Sequence, residues 1–176
     1  MYLPEAVYFV TTVTKFREPF FLDNSLARLF IEQLYIAKKL KEFKLYAYVI
    51  MPDHVHILIE PGVRYSISKS MFTIKKQFAH EANRMLGWND KRIINFSSAG
   101  EQTFVRLREF VNLHHPSYGQ KFHWQKSFHD HVIRDQRDFN HHVNYLHLNP
   151  VKDGLVKKPE DWPYSCYDAF LKGDLL

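Results

Sequence analysis

A single cysteine, Cys166, among 176 residues excludes an internal disulfide and any zinc site built from thiolates. A structural thiol is expected there. No apolar run approaches the ~18 residues needed to span a bilayer, so no membrane helix is expected. Residues 1–6 lack the basic segment and following apolar stretch of a secretory leader, and the chain is read as soluble and intracellular. There is no low-complexity tract and no internal repeat, which sets aside solenoid architectures. What is present, 45% hydrophobic and 16% aromatic residues, suits one packed domain over residues 1–176. A net charge of +5 is compatible with a polyanionic partner.

Residues 6–14 are rich in β-branched and aromatic side chains and read as a first strand. Leu26, Leu29, Phe30, Leu34, Ala37 and Leu40 recur at helical spacing, with Asn24 or Ser25 as the amino-terminal cap. Residues 44–50 and 54–60 are two strands joined by the turn Met51-Pro52-Asp53. A second helix over 66–86 buries Ile67, Met71, Ile74, Phe78, Ala82 and Met85 and is stopped by Gly87. Residues 88–124 read as an insertion, with a short helix around 104–111 and a turn at 116–119. A fourth strand is expected over 128–133. The last helix starts near Asp135 and is expected to end by Asn149, because Pro150 disfavours helix in the residue before it. The order strand, helix, strand, strand, helix, strand, helix gives the fold class α+β, a ferredoxin-like antiparallel sheet with helices mainly on one face.

Chemistry concentrates in two places. His54 and His56 share one face of the third strand while Val55, Ile57 and Ile59 take the other. With 11 histidines in the chain the spacing alone says little, and His129 and His131 repeat it. The first pair is set apart by the Met-Pro-Asp turn feeding an apolar alternating strand. On the last helix, His142, Tyr145 and Asn149 fall on one stripe beside the buried Phe139, Val143 and Leu146. Two imidazoles and an oxygen ligand such as Asn149 would hold a divalent ion with positions open for substrate. Tyr145 would then be a candidate nucleophile. A phenol, with an ordinary pKa of ~10, needs a nearby cation or base for that task. Each residue alone also reads as structural: a His-x-His pair in a core, a packing tyrosine, an asparagine finishing a helix.

Five segments taken together carry a family resemblance: 49–59 (VIMPDHVHILI), 74–78 (IKKQF), 124–134 (WQKSFHDHVIR), 141–155 (HHVNYLHLNPVKDGL) and 159–165 (PEDWPYS). Their order over nearly the whole chain resembles the single-tyrosine HUH transposases, most closely the REP-associated tyrosine transposase branch. The resemblance implies a metal-dependent single-strand DNA endonuclease and strand transferase acting beside hairpins through a 5′-phosphotyrosine. It makes His54 and His56 metal ligands, Tyr145 the nucleophile and Asn149 the residue completing the metal site, with Mg²⁺ expected and Mn²⁺ a substitute. Lys69, Lys75, Lys76, Arg84 and Lys152 are assigned to DNA phosphates, and His131 and His142 to a supporting role. Trp124 is assigned to packing. The expected partner is single-stranded, palindromic DNA, and the expected place the bacterial cytoplasm, at the nucleoid. The branch resembles monomers; the wider class comprises dimers that exchange the tyrosine helix, so monomer and homodimer are both carried forward. The competing readings are a domesticated, non-catalytic hairpin-binding protein and a small hydrolase using His54 and His56 without covalent catalysis.

Overall fold

Side-chain alternation along one short hairpin sets the layout of the molecule. In a computed structural model, which describes residues 6–88 and 120–173, strands β2 (Lys44–Ile50) and β3 (His54–Glu60) form that hairpin. It closes through Met51 N donating to His54 O at 2.8 Å. Strand β1 (Tyr8–Val13) pairs antiparallel with β3 and with β4 (His129–Val132), giving the sheet order β2-β3-β1-β4. That order and the crossing helices are those of the ferredoxin-like α+β class. The expected short helix at 104–111 and turn at 116–119 lie outside the described residues.

Tyr8, Val10 and Thr12 lie opposite Ile59, Ile57 and Val55, so these six point to the same face. Helices α1 (Asn24–Lys41) and α2 (Ile67–Met85) cover that face. Tyr35 of α1 meets Tyr48 of β2, and Phe30 of α1 meets Phe78 of α2. Phe21, Phe30, Phe78, Phe122 and Trp124 complete an aromatic cluster with ring centroids 4.8–6.2 Å apart. Edge-to-face and tilted pairs of this kind add to the area they bury. Asn83 ties the far side down: its amide exchanges two hydrogen bonds with the Phe122 backbone, at 2.8 and 3.0 Å. Phe122 and Trp124, at the end of the expected insertion, therefore pack in the core, while Gln120, Lys121 and His123 between and before them stay exposed.

The α1 cap is Asp23, not Asn24 or Ser25. Its carboxylate accepts from Ser25 N at 2.7 Å and Leu26 N at 3.3 Å. Met85, expected on the buried stripe of α2, is exposed, and Leu86 is buried in its place. Gly62 passes so close to the end of α1 that an added Cβ would sit 2.5 Å from Glu42 O.

The opposite face is covered by α3 (Gln136–Lys152), capped by Asp135, which accepts from Asp138 N at 2.8 Å. This helix runs three residues past Asn149 instead of ending there. Pro150 sits in the last turn, where its missing N–H costs one bond, and the turn is closed by Asp153 N donating to Asn149 O and Leu155 N to Pro150 O. A short helix α4 (Tyr167–Lys172), not read from the sequence, follows a segment that runs along the outer edge of β2. Ile50 N donates to Tyr164 O, Cys166 N to Tyr48 O, and the Trp162 indole to Ile50 O. Cys166 is buried and accepts from Tyr48 N at 3.0 Å; burial pushes its thiol up to about 12. Among the described residues no helix is long and apolar enough to cross a membrane.

Candidate active site

Strand pairing brings together groups that are far apart in sequence. Thr11 lies opposite His56, Val13 opposite His54, and Phe9 opposite both Leu58 and His131, so these side chains share the face beneath α3. His56 is only 4% exposed. Its Nδ1 is 2.8 Å from the Thr11 hydroxyl, and its Nε2 is buried with no hydrogen-bond partner. A buried polar atom without a partner costs about 1–3 kcal/mol and calls for an explanation. Burial, reinforced by neighbouring His54, pushes the His56 pKa down to about 3, so the ring is neutral and its lone pair available.

His54 is held differently. Its Nδ1 donates to Asp53 Oδ1 at 2.5 Å, which leaves Nε2 as the nitrogen that could ligate an ion. Asp53 also receives Arg17 Nη1 at 2.8 Å. Burial alone would raise the Asp53 carboxyl, but the bonds from His54 and Arg17 outweigh it and the net shift is downward. The two imidazoles have ring centroids 4.8 Å apart.

Tyr145 reaches this pair from α3, its ring centroid 5.4 Å from that of His56. Phe9 is the spacer: it stacks on His56 at 5.1 Å, touches His142 at 4.7 Å and meets Tyr145 edge-on at 5.9 Å. The phenol side is open, with Tyr145 37% exposed and Lys152 Nζ 5.1 Å from its ring centroid. Asn149 is buried one turn beyond Tyr145, on the same side of the helix. One chain thus brings His54, His56, Tyr145 and Lys152 into one neighbourhood.

His131 and His142 lie next to this centre. Asp138 receives His131 Nε2 at 2.9 Å, Arg134 N at 3.1 Å and Arg134 Nε at 3.3 Å, and lies 3.1 Å from His142 Nδ1. The two imidazoles stack at 4.7 Å. The bond from His131, above all, holds the Asp138 carboxyl well below the usual carboxylate range. This network fastens β4 to the first turn of α3 and so fixes the angle at which Tyr145 approaches. Among the described residues, His131, Asp138 and His142 also bring three ligand-type atoms within 4.8 Å of one another. The Arg134 cation already on that carboxylate makes it a poorer host for a divalent ion than the unpartnered His56 nitrogen.

Other candidates do not converge here. Lys69, Lys76 and Arg84 are exposed on α2, across the sheet from Tyr145, and Arg84 pairs with Glu81 at 2.7 Å. Lys75 is half-buried and committed: its ammonium donates to Gln125 O at 2.9 Å and Ser127 O at 2.8 Å. It pins a loop. Trp124 packs in the core, its indole donating to Lys75 O at 3.1 Å. The sequence reading missed Phe9, Thr11, Arg17 and Asp53. Only Asp53 left a signal, as an acid directly before the first histidine.

The model of the family described as "Transposase IS200 like" matches residues 4–99. A REP-associated tyrosine transposase of Escherichia coli K12 is 30% identical over 131 residues, 74% of this chain and 58% of that protein. A REP-associated tyrosine transposase of Haemophilus influenzae, so named provisionally, is 28% identical over 134 residues, 76% of this chain and 64% of that one. The chain therefore spans about three fifths of the length of these curated relatives. Among solved structures, a REP-associated tyrosine transposase bound to a REP hairpin superposes with a TM-score of 0.71 at 24% identity, covering 100% of this chain and 85% of that one. A transposase-like protein of Deinococcus radiodurans R1 reaches 0.50 at 17% identity, covering 82% and 93%. Both share the fold.

Proposed function

The chain belongs to the IS200-like transposase family, and on that premise we propose that it is a metal-dependent single-strand DNA endonuclease and strand transferase acting beside hairpins, with Tyr145 as nucleophile. The observation that carries this reading is the unpartnered Nε2 of the neutral His56 ring, which stacks on Phe9 and has its centroid 5.4 Å from that of the Tyr145 ring. A nitrogen left bare in a buried layer fits a metal ligand, and His54 supplies a second one already oriented by Asp53. His54, His56 and Asn149 would hold the ion, Mg²⁺ or, given two nitrogen donors, Mn²⁺. When bound, the ion supplies polarisation of the scissile phosphoryl group.

The rest follows from the chain's own groups. The Lys152 ammonium, 5.1 Å from the centre of the Tyr145 ring, offers a contact for the attacked phosphate. The Tyr145 oxygen bonds to phosphorus as the bond from phosphorus to the 3′ oxygen breaks, and the departing oxygen takes up a proton. One strand then ends in a 3′-hydroxyl, and the other is joined to Tyr145 through its 5′ phosphate. Because one phosphodiester replaces another, a new 3′-hydroxyl reverses the step without a nucleotide cofactor. Asp138, His131 and His142 keep the tyrosine helix seated on the sheet throughout. For DNA contacts we place Lys152 at the cleavage point. Lys69, Lys76 and Arg84 are assigned to DNA lying further round the domain, whereas Lys75 serves the fold.

The substrate class is supported by the similar transposase solved with a REP hairpin and by the net charge of +5. Labelled hairpins with single-stranded flanks, incubated with and without Mn²⁺ and run on denaturing gels, test it directly. A covalent adduct requiring both the ion and Tyr145 is expected. Binding without cleavage across a panel of palindromic oligonucleotides would establish the non-catalytic reading instead, and turnover surviving Tyr145→Phe would establish the hydrolase.

A further inference from the structure

Phe16 stands in the open, 80% exposed, on a backbone bent the wrong way for its side chain. Its φ is 60° and that of Arg17 is 56°, two bulky residues in succession in the left-handed region. Such geometry is costly and persists only where surrounding bonds enforce it. Here they do. Thr14 N donates to Asp53 O at 2.9 Å, the Thr14 hydroxyl lies 2.8 Å from Glu18 O and 2.9 Å from Asp53 O, and Lys15 N donates to His123 O at 2.8 Å. The Arg17 guanidinium closes the bend on the Asp53 carboxylate at 2.8 Å.

No burial of the ring repays this strain. Instead the ring is displayed among cations: Lys15 Nζ lies 5.0 Å from its centroid, and a cavity of about 250 Å³ beside it is lined by Lys15, Phe16, Glu18, Phe20, Lys121 and His123. An exposed aromatic face flanked by ammonium groups is the composition that binds unpaired nucleotides, the ring taking a base and the cations its phosphates. The bend is also tied to the candidate active site by a short path, from Arg17 to Asp53 to His54.

We propose that Phe16 is a stacking platform for an unpaired nucleobase flanking the scissile linkage, with Lys15 and Lys121 taking adjacent phosphates. The assignment rests on the single-strand DNA reading above. Because every base has a π-face, the platform fixes the position of the strand with little regard to its sequence. Asp53 then has two tasks, orienting His54 and anchoring the loop that presents the base, so the strand and the imidazole are set from one carboxylate.

The test uses a hairpin with a single-stranded flank carrying 2-aminopurine at one position at a time, bound by the Tyr145→Phe chain so that no turnover intervenes. One flank position is expected to show quenched fluorescence. Phe16→Ala should abolish that quenching and weaken binding of the flanked hairpin about tenfold, leave a hairpin without a flank unaffected, and be rescued by Phe16→Trp. Phe16→Gly should bind as poorly as the alanine variant yet melt at a higher temperature, since glycine adopts the bend freely. Unchanged quenching and affinity in Phe16→Ala, or an equal loss on the bare hairpin, overturns the platform while leaving the nuclease reading standing. A lower melting temperature for Phe16→Gly overturns the strain argument. Failure of the Tyr145→Phe chain to bind any hairpin overturns both.

Discussion

Along β3, Val55, Ile57 and Ile59 are fully buried beneath α1 and α2, whereas His54 and His56, interleaved with them, face α3 across a layer holding a carboxylate, a hydroxyl and a phenol. The first layer is aromatic and aliphatic; Asn83 exchanges two hydrogen bonds with the Phe122 backbone, and the buried Thr12 and Ser70 hydroxyls have no partner among the described residues. The second keeps a bare imidazole nitrogen. A strand of seven residues therefore serves stability and chemistry with alternate side chains. Changes on one face should register in one measurement and leave the other unmoved.

The sharpest way to break that division is Tyr145→Phe. Loss of all covalent adduct is expected, with unfolding free energy changed by less than about 0.5 kcal/mol, read from gels and urea melts. Phe78→Ala is the converse. Emptying the middle of the aromatic cluster should cost about 3–5 kcal/mol of stability, and adduct yield per folded molecule should stay near wild type.

Smaller changes sharpen the contrast within the polar layer. Thr11→Val and Asp53→Asn each remove the group that orients one histidine, so a loss of about 10–100-fold in metal affinity or cleavage is expected with little change in melting. Cys166, beneath the other edge, should show no such effect on cleavage but a pH signature in stability. Burial lifts its thiol from 9.0 to about 12. The neutral form is favoured on folding, so the stabilisation is complete below the unfolded value and fades as pH rises from 9 toward 12, by up to ~1.4 kcal/mol per unit. Urea melts of Cys166→Ala through that window should lack this part of the slope. The smallest effect is expected for Lys152→Gln, which should lower the salt dependence of DNA binding by about one counterion while leaving the fold intact.

Local rules carried much of this into the sequence. Period-two alternation assigned His54 and His56 to one face, and helical spacing aligned His142, Tyr145 and Asn149. Errors came where neighbours compete. Asp23, Asn24 and Ser25 are all cap-forming residues, and only the geometry shows that the Asp23 carboxylate reaches two backbone donors. Pro150 reads as a stop, but placed in the final turn it forfeits a single bond and the helix continues. Thr11 and Phe9 were invisible because antiparallel pairing over 45 residues, not local pattern, sets them beside His56. Lys75 looks like its neighbours on the helix until residues 125–127 fold over it.

The segment along the outer edge of β2 has one more implication. Lys44–Ile50 is a seven-residue, apolar strand whose free rim would otherwise invite another molecule to add itself. Trp162, Tyr164 and Cys166 occupy the outward donors and acceptors of Tyr48 and Ile50, and the opposite rim, β4, is four residues of mostly polar character. Shortening the chain before Pro159 would strip the guard from the longer rim, and the product should form insoluble intermolecular sheets at concentrations where the intact chain stays dispersed.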